Sequence, residues 1–221
     1  FLASVYWPPF LGPRSNGPDL GPFRGALPLG RDRQDSSGGL FRTNVHPTKG
    51  EETMRFFAFH KDRVPGLALR TEEGLRGLMA EDASYPGSLD ELVRKGRLQE
   101  AAKALIRGDR INPDHVTPAL PFNRAGKILC VGLNYADHAA ETNHAPPPYP
   151  TEFVRFNDLL VPHLGELVAP DASEQFDYEG EVVAVIGKGG RSIPKDKALD
   201  HIAGYTLFND GSIRDFQMAT P

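Results

Sequence analysis

Hydrophobic and polar positions change their pattern twice along this chain. From residue 1 to residue 53 neither a two-residue nor a 3.6-residue period is present, and fifteen of these 53 residues are Gly or Pro. Such a stretch buries too little apolar surface to offset its ordering entropy, so residues 1–53 are expected to be loop or disorder. The chain begins with Phe1, and Met54 opens the first periodic segment. Met54 is therefore expected to be the native start, with residues 1–53 a non-native leader.

From Met54 the pattern becomes that of a small α+β unit extending to about residue 120. Residues 55–59 and 64–70 predict two strands joined by a turn at 60–63, and residues 88–95 and 98–107 predict two helices. Ser88 three residues before Glu91 is the spacing of a capping box, and Gly108 with Pro113 ends the helical stretch. Past Pro118 and Pro121 the pattern shifts again, to short strands and turns, which places a domain boundary near residue 120 and leaves 121–221 as a second unit.

In that second unit Val182 to Ile186 reads as a buried strand, and side chains two apart on a strand share a face. Glu179 and Glu181 stand at its entrance. Two carboxylates buried side by side need a cation or strong donors between them. On their own they fit a solvated strand end equally well. Asp210 ends a short apolar, aromatic segment at an Asn-Asp-Gly turn, and a third carboxylate there would complete an oxygen-rich site of the kind Mg²⁺ or Mn²⁺ prefers. Farther back, His138 and Glu141 are three apart. On a helical turn the acid could orient the imidazole as a general base, although a surface salt-bridge pair has the same spacing.

Composition narrows the function classes. The net charge is −4 with Lys and Arg scattered, which argues against nucleic acid and anionic membranes as partners. A single cysteine, Cys130, excludes an internal disulfide framework, and a cytoplasmic location is expected. Cys130 sits in an apolar run and reads as a structural thiol. No apolar stretch approaches a membrane span.

Three motifs in order carry a resemblance. Lys127-Ile128-Leu129-Cys130-Val131-Gly132-Leu133-Asn134-Tyr135-Ala136-Asp137-His138, then Glu174-Gln175-Phe176-Asp177-Tyr178-Glu179-Gly180-Glu181, then Gly204-Tyr205 with Phe208-Asn209-Asp210-Gly211-Ser212-Ile213-Arg214-Asp215-Phe216-Gln217, resemble the fumarylacetoacetate hydrolase family. The resemblance covers residues 121–217. It implies a β-rich α+β fold, a mixed β-sandwich roll preceded by the small α+β unit, with the roll incomplete at its C-terminal end. It also implies a homodimer.

The same resemblance makes Glu179, Glu181 and Asp210 metal ligands, with Mg²⁺ as the cation and Mn²⁺ or Ca²⁺ as alternatives. It makes His138 the base and Glu141 its orienting acid. Arg155, Arg214 and Gln217 become substrate-side residues; in many members a lysine follows the segment equivalent to residues 152–156, where this chain offers Arg155 nearby. The implied substrate is a small dicarbonyl or 2-oxo acid. The implied reaction is metal-dependent hydrolysis of a C–C bond in a 2,4-dioxo acid of the acylpyruvate or fumarylpyruvate type. Isomerisation or decarboxylation of a related 2-oxo acid would use the same site, and a non-catalytic metal-binding fragment is the reading from a different class.

Overall fold

A computed structural model of the protein describes residues 2–3, 40–42, 53–132 and 149–219. Residues 2–3 and 40–42, in the stretch expected to be loop or disorder, form two short strands, β1 (Leu2–Ala3) and β2 (Leu40–Arg42), and the rest of residues 1–52 lies outside the described residues. The small unit follows with β3 (Arg55–Lys61), β4 (Val64–Thr71), β5 (Gly74–Met79), α1 (Leu89–Lys95), α2 (Leu98–Leu105), β6 (Asp109–Ile111) and β7 (Thr117–Pro118). The second region contributes β8 (Ile128–Gly132), β9 (Thr151–Arg155), β10 (Phe176–Asp177), β11 (Gly180–Ile186), β12 (Ile202–Asn209), β13 (Ser212–Ile213) and α3 (Arg214–Ala219).

Local chemistry explains the small unit. β3 and β4 form a hairpin whose last pair is Lys61 with Val64, so Asp62 and Arg63 make the whole loop. Their φ values of 51° and 69° are the left-handed pair a two-residue hairpin turn needs. In α1 the Ser88 hydroxyl accepts from the Glu91 N–H at 3.4 Å, forming the Ser88 half of the expected box. Gly96, at φ 65°, ends the helix in the left-handed conformation that glycine adopts without steric cost.

Successive residues of β3 serve opposite faces of the sheet. Phe56 joins Leu67, Leu69, the helical Leu89, Leu92, Val93, Ala101 and Leu105, and also Phe122, Ile128 and Val185 in one buried cluster. Phe57 and Phe59 point the other way, to Ala68 and Leu75, with their rings stacked at 6.0 Å between centroids. The larger cluster therefore runs from the small unit into β8 and β11 without a break.

Among the described residues the main sheet has eleven strands, in the order β6-β5-β4-β3-β2-β12-β11-β1-β8-β9, with β7 on β3. Nearly all pairings are antiparallel; β1 lies parallel to β8. β11 and β12 pair as an antiparallel hairpin, with Gly180 opposite Asn209 and Glu181 opposite Phe208 at one end. A separate ribbon pairs β10 with β13, setting Asp177 opposite Ser212. The strand expected at 182–186 is present, but its burial is confined to Ala184 and Val185. Val182 is 50% exposed, facing its cross-strand partner Leu207, itself 66% exposed.

Candidate active site

The entrance of β11, the exit of β12 and the end of β9 meet at one corner of the sheet. Asp210 follows the last residue of β12 and Glu179 precedes the first of β11. The hairpin register brings them together, and the Asp210 N–H donates to the Glu179 carbonyl at 2.9 Å. The Glu179 N–H donates in turn to Asn209 Oδ1 at 3.1 Å.

Asp210 is 5% exposed, and a carboxylate so buried needs compensation. Arg155, the last residue of β9, provides it: Nε donates to Asp210 Oδ1 at 2.7 Å, and Nη2 reaches the same oxygen at 2.5 Å. The guanidinium is itself held by the Gly211 carbonyl and by the Phe153 ring, whose centroid is 5.6 Å from Cζ. Compensation is incomplete. Burial pushes the Asp210 carboxyl above the usual range, and the nearby Glu179 charge pushes the same way, against the pull of Arg155 and Arg214.

Glu179 has its own donors. Ser212 Oγ donates to its Oε1 at 2.6 Å and Arg214 Nη1 to the same oxygen at 3.0 Å. Arg214 also grips Asp177 Oδ2 through Nε at 2.9 Å and Nη2 at 2.7 Å, and donates to Gln217 Oε1 at 3.0 Å. The β10–β13 ribbon builds this arrangement, because it sets Asp177 beside Ser212 two residues ahead of Arg214.

Glu181 lies two residues beyond Glu179, and its carboxylate acts with that of Asp210 on the Cys130 thiol. Burial first, and then these charges, push the thiol up to about 11, so at neutral pH Cys130 is a protonated structural group and not a nucleophile.

Of the residues singled out from the sequence, Glu179, Asp210, Arg155, Arg214 and Gln217 are joined by direct contacts, and the Glu181 charge, with that of Asp210, is felt at Cys130. His138 and Glu141 lie outside the described residues. Ser212 and Asp177 escaped the sequence reading. The signal for both was the two-residue step, since Asp177 precedes Glu179 and Ser212 follows Asp210 by two.

Among the described residues no three His, Cys, Asp or Glu side chains gather closely enough to enclose a metal ion. The donor chemistry nevertheless fits one. Glu179, Glu181 and Asp210 offer oxygen alone, as hard cations prefer. Asp210 is buried with its charge under-compensated, and neither Asp210 Oδ2 nor Glu179 Oε2 takes part in a hydrogen bond among the described residues.

Comparison with known proteins agrees with the corner's motifs. Residues 127–221 match the family model described as fumarylacetoacetate (FAA) hydrolase C-terminal. Human oxaloacetate tautomerase FAHD2A, mitochondrial, is 34% identical over 186 residues, spanning 81% of this chain and 59% of that protein. The Xenopus laevis oxaloacetate tautomerase fahd2, mitochondrial, is 34% identical over 173 residues, spanning 75% and 54%. The chain thus covers little more than half the length of these relatives. A fumarylacetoacetate hydrolase from Exiguobacterium antarcticum superposes with a TM-score of 0.58 at 28% identity, covering 75% of this chain and 58% of that one. A putative HpcE protein from Mycobacterium smegmatis gives 0.53 at 28% identity, covering 74% and 58%.

Proposed function

Because the chain belongs, through residues 127–221, to the fumarylacetoacetate hydrolase family, we propose that it serves enol–keto chemistry on a small 2-oxo acid, with oxaloacetate tautomerisation as the leading reaction. The observation that carries this reading is the corner where Glu179 and Asp210 are locked together beside Arg155 and Arg214. Tautomerisation moves a proton between carbon and oxygen, so the site must hold an acid with its oxygens fixed and stabilise negative charge on them.

Glu179, Glu181 and Asp210 are the residues that would hold a divalent cation, Mg²⁺ or Mn²⁺ in this proposal with Ca²⁺ as a further candidate. Such a cation, when bound, supplies Lewis-acid polarisation of the substrate oxygens. His138, oriented by Glu141, takes the proton from the carbon next to the carbonyl and returns it at the other end of the enol system. Arg155, Arg214 and Gln217 border the acid group of the substrate, and a guanidinium suits a carboxylate by its planar two-pronged geometry.

A second reading keeps the same residues. If His138 activates water instead, attack on the distal carbonyl of a 2,4-dioxo acid cleaves the C–C bond, as the family name suggests. Decarboxylation would begin from the same polarised oxo acid. The human and frog relatives carry the word mitochondrial in their names, so we place this chain in mitochondria in preference to the cytoplasm suggested by its cysteine count. A homodimer remains part of the proposal.

The test follows the ultraviolet decay of enol-oxaloacetate, and separately acylpyruvate cleavage, with Mg²⁺ present. Glu181→Gln is expected to lose metal binding and turnover together. His138→Ala is expected to bind metal and lose turnover. Undiminished turnover in a metal-free Glu181→Gln protein would overturn the assignment.

A further inference from the structure

Among the described residues, every side-chain donor that reaches Asp210 or Glu179 lands on one oxygen of that carboxylate. Both nitrogens of Arg155 meet Asp210 Oδ1, and the Ser212 hydroxyl and Arg214 Nη1 both meet Glu179 Oε1. The second oxygen of each carboxylate has no partner among the described residues. Guanidinium–carboxylate pairs commonly close as two parallel bonds to two oxygens, whereas Arg155 places both nitrogens on one.

We propose that Arg155, Ser212 and Arg214 are positioning residues for the metal site. They clamp Oδ1 of Asp210 and Oε1 of Glu179 and so present Oδ2 and Oε2 to a hard divalent cation. This rests on the assignment of Glu179 and Asp210 as ligands, and it gives the two arginines a task other than substrate contact.

Each clamp is anchored elsewhere, as a positioning device must be. Arg155 is fixed by the Gly211 carbonyl and the Phe153 ring. Arg214 is fixed by Asp177, and Ser212 Oγ is 3.2 Å from the Asp210 carbonyl. Ser212 therefore touches the backbone of one ligand and the side chain of the other, tying their spacing together. Residues that orient metal ligands in this way typically govern affinity by about 10- to 100-fold.

The experiment is Mn²⁺ titration of the full chain by calorimetry and by the loss of the free-ion electron paramagnetic resonance signal. Wild type, Arg155→Gln, Arg155→Lys, Ser212→Ala and Asp210→Asn are compared, with thermal melting of each metal-free protein alongside. Arg155→Gln and Ser212→Ala are each expected to weaken Mn²⁺ by about 10- to 100-fold, and Arg155→Lys to weaken it less. The Ser212 variant carries the test should Arg155→Gln fail to fold.

Unchanged or tighter Mn²⁺ binding in either variant, whatever its melting temperature, overturns the inference, because the pairs then serve only the fold. Equal binding by wild type and Asp210→Asn, or none by either, overturns the ligand assignment itself. The two failures are thus told apart.

Discussion

The main chain of Asp210 is hydrogen-bonded to the main chain of Glu179 at 2.9 Å, the two residues flanking the open end of the β11–β12 hairpin although they are far apart in sequence. The backbone spacing of the two acidic residues is thereby fixed, and the rotamers of their side chains place the carboxylates. Asn209 completes the junction by accepting the Glu179 N–H.

Asn209→Ala removes that acceptor. Since Asn209 is exposed and water can replace it, the expected cost is about 0.5–1 kcal/mol of unfolding free energy. Urea denaturation checks this.

Gly66 lies directly opposite Phe59 in the β3–β4 hairpin, and a Cβ there would stand 2.9 Å from ring carbon Cε1. Phe59 is fully buried and has no free space to yield. Gly66→Ala is expected to destabilise the protein by about 1–3 kcal/mol through overpacking. The drop appears in thermal or urea melts.

Cys130 is held about two pH units above its ordinary value, from 9.0 to about 11. Folding therefore favours the protonated thiol. The contribution to stability is complete below the unfolded value and is lost as pH rises through about 11. At pH 8 the thiolate fraction, and with it iodoacetamide labelling, should be at least about a hundredfold below that of the urea-unfolded chain. Labelling kinetics against pH, followed by mass spectrometry, measures it.

The strands β3, β4, β11 and β12 and the helices α1 and α2 were legible because their apolar runs are punctuated by strong signals: the turn at 60–63, Ser88, and the Asn-Asp-Gly turn at Asp210. β5 was not. Its Gly-Leu-Arg-Gly-Leu-Met run has poor strand propensity, and it is a strand because β4 and β6 pair with both its edges. Gly77 there faces Ala68 so closely that an added Cβ would lie 2.8 Å from that methyl, a fit no local pattern announces.

In the site, spacing and charge bring Glu179, Glu181 and Asp210 forward as candidates, and the family resemblance is what favours a metal site over a solvated strand end. The partners of Arg214 could not. Asp215 is its neighbour in sequence, whereas it binds Asp177 and Glu179, because the ribbon between β10 and β13 decides which acids it meets. Register between strands far apart in the chain is a tertiary fact.

β2, only three residues long, bonds to β3 on one side and to β12 on the other. The small unit and the acid-bearing hairpin thus meet across shared hydrogen-bonded strands, with no hinge between them in the sheet. Rotating one against the other would tear the ladder bonds of Leu40–Arg42 and shear the cluster joining Phe56 to Val185. Heat should then dismantle both together in one cooperative transition, and amide hydrogen exchange should find no opening confined to either.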